Sequence, residues 1–289
     1  MPITKTEWIE LEKKASELRK LTLETCHWAG SGHMGGSLSS DDLLTLLYFK
    51  YLNFDPKKFD DPDRDRMVIS KGHIGLTLAP LYSMLGLVPY EELKTFNLTN
   101  SKLGMHLDFH KVKGLEASTG SLGHGSALAL GMALAARVEK RNYKTFVLLG
   151  DGECDEGSVW EAAMATANFK ATNLITIVDR NKCMIDGRTE EVMKLEPFAD
   201  KWTAFGFETI VVNGHNMYEM SIAIEKALAA TEKPVCIIID TFKGEGISFM
   251  KDNYKWHYGA MDEEKFEIAK KDLDAHLAER LAFVEKEAK

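Results

Sequence analysis

The sequence predicts an α/β protein: a three-layer sandwich built on an open, mainly parallel sheet. Three observations lead there. Short apolar runs recur at 145–149, 174–178, 208–212 and 235–240. They are continuous and not alternating, the pattern of strands buried on both faces. Segments of helical spacing separate them, and strands that alternate with helices pair in parallel through right-handed crossovers. No Pro-, Gly- or Ser-rich linker divides the 289 residues, so 1–289 is read as one domain.

Each element has its own signal. Residues 5–29 set Trp8, Ile9, Leu11, Ala15, Leu18 and 21–23 on one buried helical stripe. Ser39-Ser40-Asp41-Asp42 reads as the cap of an apolar helix over 43–52. A polar loop at 55–65 leads into a short β-like run at 67–70, and a helix follows at 75–85. After a long loop at 96–121, an Ala-, Gly- and Leu-rich helix over 123–140 precedes the strand 145–149. Further helices are expected at 157–169, 198–205, 217–230 and 262–289.

Composition narrows the function classes. Hydrophobic residues make up 45% and charged residues 28%, with no repeat or low-complexity tract, so the chain folds into a sizeable core. A formal charge of -8 argues against a general nucleic-acid binder, although a local site can still be positive enough for a small anion. The four cysteines lack metal-ligand spacing and read as buried thiols of a reducing compartment. The N-terminus is amphipathic and charged, unlike a secretory signal, and no run of about 18 apolar residues exists to span a membrane. The expectation is a soluble, cytoplasmic protein.

The chemistry gathers at strand ends, where open parallel sheets bind ligands. Gly150-Asp151-Gly152 follows one strand directly, and Asp179-Arg180-Asn181 closes the next. A single helix joins the two, so the Asp151 carboxylate and the Asn181 amide oxygen converge from neighbouring strands about 4.8 Å apart. Few, hard oxygen ligands suit magnesium, which completes its octahedron with phosphate oxygens. The Gly152 amide and the helix start behind it favour a diphosphate. A lone Gly-Asp-Gly is an ordinary strand-to-helix turn; Asn181 and the following Lys182-Cys183-Met184-Ile185-Asp186-Gly187 single this one out.

Nine histidines are present, and four stand in separate motifs: Ser31-Gly-His33, Lys71-Gly-His73, Gly104-Met-His106 and Trp256-His257. Their spacings do not form a helical metal face, so zinc is not expected. Imidazoles suit proton transfer and oxyanion stabilisation near neutral pH.

The string GDGECDEGSVWEAA, with NLITIVDRNKCMIDG some thirty residues on, resembles the transketolase family, as do SGHMGGSLSSDDLL, SKGHIGLTLAPLYSMLGL and TFKGEGISFMKDNYKWHYG. The resemblance implies thiamine diphosphate and magnesium as cofactors, with calcium or manganese able to replace the latter. It implies that Asp151, Asn181 and the Cys183 carbonyl hold the metal together with two diphosphate oxygens and a water. Ile185 and Leu122 would pack against the cofactor, Gly120 would offer it a carbonyl, and Gly152 and Glu153 would count among its contacts. His33 would face the reacting carbons, His73 the diphosphate, His106 the donor's hydroxymethyl end, and His257 both diphosphate and substrate.

Two departures are visible. Arg180 stands where the family usually has an acidic residue, and as a neighbour it is not expected to touch the ion. Met34 stands where proline is common. His110, His124 and His215 are read as non-catalytic, and Cys26–His27 as buried helix. Glu156 and Glu161 resemble a carboxylate pair coupling protomers, but equally fit a helix start favoured by the dipole.

The resemblance covers about the first half of a full-length family member. The glutamate that activates the aminopyrimidine ring would lie beyond it. The expectation is therefore a two-chain transketolase of the pentose phosphate pathway, moving a ketol unit between sugar phosphates. A separate C-terminal, pyrimidine-binding chain would complete it, with two copies of each chain. The rivals are an alpha-type chain of a 2-oxo-acid dehydrogenase, a deoxyxylulose-phosphate-synthase-like enzyme, and a non-catalytic paralogue serving as a scaffold. The four motif histidines favour sugar chemistry.

Overall fold

The computed structural model describes residues 1–287. In chain order its helices are α1 (Lys5–Ala29), α2 (Met34–Leu38), α3 (Asp41–Leu46), α4 (Gly75–Met84), α5 (Tyr90–Leu93), α6 (His124–Val138), α7 (Gly157–Asn168), α8 (Thr189–Val192), α9 (Phe198–Ala204), α10 (Met217–Leu228) and α11 (Glu263–Glu287). The strands are β1 (Ser31–Gly32), β2 (Arg66–Ile69), β3 (Thr145–Gly150), β4 (Leu174–Arg180), β5 (Glu208–Asn213), β6 (Val235–Asp240) and β7 (Gly259–Ala260). The last two positions of the helix expected over 262–289 lie outside the described residues.

The main sheet has the order β2-β3-β4-β6-β5, with every pairing parallel. Its central strands divide their side chains between two cores. Phe146, Leu148, Ile175, Ile177, Ile237 and Ile239 join the apolar faces of α1, α3, α4 and α10. Val147, Leu149, Val178 and Ile238 turn the other way, onto α6, α7 and α9. α6, α7 and α9, which lead into β3, β4 and β5, lie on one face, and α10, which returns to β6, lies on the other, as right-handed crossovers require. The sheet is thus covered on both sides, and its C-terminal edge is left open for a site.

Three expectations change. β5 is not buried on both faces: it pairs only with β6, and Val211 is 57% exposed, as befits an edge strand. Ser39–Asp42 is not a side-chain cap. α2 runs into α3 almost without a break, so the Ser39 and Ser40 amides already bond the carbonyls of Gly35 and Ser37. Both hydroxyls turn instead into a buried polar network. α3 then loosens into a π-turn over Leu47–Tyr51 instead of continuing to 52.

Buried charges tie the helical layer together. Arg19 of α1 lies 2.8 Å from Asp42 of α3, with both essentially inaccessible to water. His215, after β5, donates Nδ1–H to the same carboxylate at 2.9 Å while its Nε2 accepts the Phe242 amide. A short antiparallel clasp, β1 with β7, draws the segment carrying His257 back over the segment carrying His33. Among the described residues no helix is long and apolar enough to cross a membrane.

Candidate active site

The tips of β2, β3, β4 and β6 frame a cavity of about 330 Å³. Its floor is organised by Asp179, the penultimate residue of β4, which is fully buried. Its carboxylate accepts from Ser39 Oγ at 2.6 Å, from the Asn181 amide at 3.2 Å, and from Lys71 and Thr241. Burial alone would raise this carboxyl, but Lys71 and the hydroxyls outweigh it and hold the group below the usual carboxylate range. Lys71 also donates to the Gly36 carbonyl and Ser40 Oγ, each at 3.0 Å. One buried ion pair therefore fixes four strand and helix ends relative to each other.

Asp151 and Asn181 both face this cavity, with Cys183 beside them. Asp151 accepts the Gly152 amide at 2.8 Å on one oxygen and the Lys182 amide at 2.5 Å on the other. Burial, then the neighbouring Asp179, push its carboxyl up, a charge imbalance that a cation would relieve. Asn181 Oδ1 accepts the Cys183 amide at 3.2 Å. Lys182 sits at φ 64, which turns the chain so that Cys183 bridges back to Arg188. A Cβ on Gly152 would lie 3.2 Å from the Met184 methyl, so glycine leaves the turn open to a ligand.

The four motif histidines, scattered over 225 positions of sequence, meet here. Ring centroids lie 5.3 Å apart for His33 and His73, 5.2 Å for His33 and His257, 5.1 Å for His73 and His257, and 6.4 Å for His33 and His106. Burial is the main reason each imidazole is lowered: His33 falls to about 4 and His257 to about 3, with His73 and the more exposed His106 also lowered. Lys243 donates to His257 Nδ1 at 3.0 Å, and burial brings its ammonium down to about 8. Gly120 has φ +155, and a Cβ there would come within 2.9 Å of the His106 ring.

The remaining expected positions divide. Leu122 and Ile185 line the cavity, Ile185 at its rim with 65% exposure. Glu153 also lines it, but its carboxylate accepts from the Gly123 and Gly150 amides at 2.8 and 3.0 Å and from Ser70, so it braces the loops. His110 and His124 are exposed, and His27 stacks on Phe266 at 4.1 Å between centroids. Glu156, just before α7, and Glu161, on it, are exposed and do not line the cavity.

Arg180 has a role the sequence did not suggest: its Nη1 stands 3.3 Å from Asp151 Oδ2, in direct reach of the proposed metal ligand. The side chain curls back from the strand tip because Thr189, Glu190 and Glu196 surround its guanidinium. Lys71, Asp179, Lys243 and Tyr258, whose ring lies 5.0 Å from His33, escaped notice in the sequence. A signal existed for the lysines. Both follow strand ends, in Ser70-Lys71-Gly72-His73 and Thr241-Phe242-Lys243-Gly244, as Asp151 does.

Relatives carry the same architecture. Residues 11–286 match the family described as transketolase, thiamine diphosphate binding domain. A 6-deoxy-6-sulfo-D-fructose transketolase subunit of Clostridium sp. (strain MSTE9) is 41% identical over 266 residues, 92% of this chain and 97% of the relative. An apulose-4-phosphate transketolase subunit of Phocaeicola vulgatus is 40% identical over 277 residues, 96% and 97% of the two chains. The crystal structure of transketolase from Campylobacter jejuni superposes with a TM-score of 0.84 at 31% identity, covering 95% of this chain and 46% of that one. The chain spans nearly all of the subunit-type relatives but less than half of that solved transketolase. A cavity at the strand tips, with these motifs around it and this breadth of similarity, leads to one assignment: the chain belongs to the transketolase thiamine-diphosphate-binding-domain family.

Proposed function

We propose that residues 1–289 form one diphosphate- and magnesium-holding unit, the N-terminal subunit of a two-chain transketolase that moves a two-carbon ketol unit between sugar phosphates. The observation that carries the reading is the meeting, in one cavity, of the Asp151 and Asn181 strand tips with four neutral imidazoles. The residues fit the cofactors. Among the described residues no three His, Cys, Asp or Glu side chains form a metal-ligand set. By the family resemblance a cation would rely on Asp151, the Asn181 amide, the Cys183 carbonyl and diphosphate oxygens, a hard oxygen set suited to magnesium.

Thiamine diphosphate, when bound, supplies the nucleophilic carbon that accepts the ketol unit. The chain's part is to bind, orient and move protons. The Gly152 amide, His73 and His257 would receive the diphosphate, with Lys243 supplying positive charge nearby. Gly120, Leu122 and Ile185 would hold the rings. Neutral His33 and His106 can donate a hydrogen bond to a developing oxyanion or accept a hydroxyl proton without first losing one of their own.

Two relatives are named as subunits, which supports a separate partner chain; a pyrimidine-binding role for it, and two copies of each chain, are part of the proposal. They are also named for 6-deoxy-6-sulfo-D-fructose and apulose 4-phosphate, which favours an uncommon ketose over the pentose phosphates first expected. The test is reconstitution. The purified chain alone should show negligible ketol transfer, with activity appearing on addition of the partner and preferring a ketose phosphate to pyruvate as donor. High turnover by the isolated chain, or a preference for pyruvate, would overturn the reading.

A further inference from the structure

β4 ends on Arg180, whose side chain is 6% exposed and reaches two groups of acceptors at once. Nη1 stands 3.3 Å from Asp151 Oδ2 and donates to Thr189 Oγ1 at 2.7 Å. Nη2 donates to Glu190 and Glu196, each at 2.9 Å, and the guanidinium lies 5.5 Å from the Phe198 ring centroid. The contact with Asp151 is the longest of the four polar ones, and it is made to the oxygen that already accepts the Lys182 amide. Glu190 is itself tied locally, accepting the Leu195 amide at 3.1 Å. One guanidinium therefore fastens the segment from 189 to 198 to the strand tip that carries Asp151.

A divalent cation and a guanidinium cannot share one carboxylate oxygen favourably, because like charges a few ångströms apart repel strongly where water is scarce. The planar fork of arginine can release one acceptor while keeping the others. We propose that Arg180 is the resident counter-ion of Asp151. It gives way to an arriving divalent cation and, held then by Glu190 and Glu196, couples cation occupancy to the docking of segment 189–198 beside the cavity. Arg180 is a positioning residue in this scheme, acting through Asp151. The inference rests on the reading that a divalent cation binds at Asp151.

The experiment titrates Mn²⁺ into the full chain, with and without inorganic pyrophosphate, and follows free Mn²⁺ by electron paramagnetic resonance. Arg180→Met should bind Mn²⁺ about tenfold more tightly than wild type, and Arg180→Lys should stay near wild type. The pair Glu190→Gln/Glu196→Gln should weaken binding about threefold, and that effect should largely vanish in the Arg180→Met background. Mn²⁺ should slow amide exchange at 189–196 in wild type, but not in either the Arg180→Met or the glutamine-pair variant. The glutamates are 39% and 58% exposed, so the pair decides the question even where Arg180→Met fails to fold. Equal or weaker affinity in a folded Arg180→Met protein overturns the proposal and leaves the cation site standing. So does an undiminished effect of the glutamine pair without Arg180, or full exchange protection in the pair variant. Wild type that binds no Mn²⁺, indistinguishably from Asp151→Asn, overturns the site reading itself.

Discussion

Asp151→Asn separates stability from ligand binding, and the structure predicts opposite behaviour for the two. The carboxylate is 2% exposed, and burial and Asp179 raise its pKa in the folded chain. A carboxyl whose folded pKa is raised destabilises the fold when ionised, so removing the charge relieves part of that penalty at neutral pH. Against this, the new amide group would face donors, since the Gly152 amide, the Lys182 amide and Arg180 all point at the carboxylate. Losing one such hydrogen bond to a charged group costs about 1.5–3 kcal/mol. The two effects oppose each other, and the ligand-free melting temperature should move by no more than a few degrees. Ligand stabilisation behaves differently. At one hundred times Kd, bound cofactor and magnesium add about 2.7 kcal/mol. For a chain of 289 residues that corresponds to a rise of about 4–5 °C. Asparagine offers no anionic oxygen, so that rise should disappear. Thermal melts of both proteins, with and without magnesium and thiamine diphosphate and with the partner chain present, make the comparison. A full ligand-induced shift in Asp151→Asn would refute the assignment of this carboxylate to the cation.

Other consequences are equally direct. Asp42→Ala leaves Arg19 buried without its ion-pair partner and should cost about 3–5 kcal/mol in urea denaturation, against under 1 kcal/mol if the pair is idle. His33 and His257 should keep neutral imidazole chemical shifts from pH 8 down to pH 5 by NMR, since their folded values are about 4 and about 3; titration near 6.5 would contradict the burial argument. The same shifts mean that the unfolded chain takes up protons the folded chain refuses. Stability should therefore fall as pH drops below 6.5, a loss that completes only below these folded values. Gly120→Ala must place a Cβ 2.9 Å from the His106 ring, and it should lower kcat of the reconstituted pair at least tenfold while leaving the circular dichroism spectrum unchanged.

The sequence carried the sheet well and its covering less evenly. Buried strands such as 174–180 are continuous apolar runs because both faces are covered, and that pattern needs no tertiary knowledge. The edge position of β5 left no comparable mark, because its Thr209-Ile210-Val211-Val212 run is as apolar as a central strand. Ser39 and Ser40 misled for a related reason. A serine beside two aspartates looks like a cap, yet these hydroxyls serve a carboxylate that lies 140 and 139 positions away in sequence. At the site, strand-end glycines and histidines announced themselves through local motifs. Lys71 and Asp179 stood in the same motifs but their role was not legible, because the meaning of each lies in the other, and their pairing spans 108 residues.

That pairing explains how the cavity can hold opposite demands within a few ångströms. A cation site needs uncompensated negative charge, whereas the imidazoles must stay neutral to work as donors and acceptors. Asp179 is neutralised by Lys71, so the negative charge available to a cation at the strand tips falls mainly to Asp151, whose contact with Arg180 is a long one at 3.3 Å. The spare positive charge lies on Lys243, which feels Asp151 on one side and on the other donates to His257 and helps to hold both His257 and His33 unprotonated. Both lysines line the cavity, so a diphosphate between these two sides would meet a cation at one end and an ammonium-backed imidazole at the other. Neutralising Lys243 should therefore weaken diphosphate binding and also let His257 protonate more readily. Lys243→Met, read by inorganic pyrophosphate titration and by the His257 NMR shift together, should move both. A change in only one would show that the lysine serves a single side of the cavity.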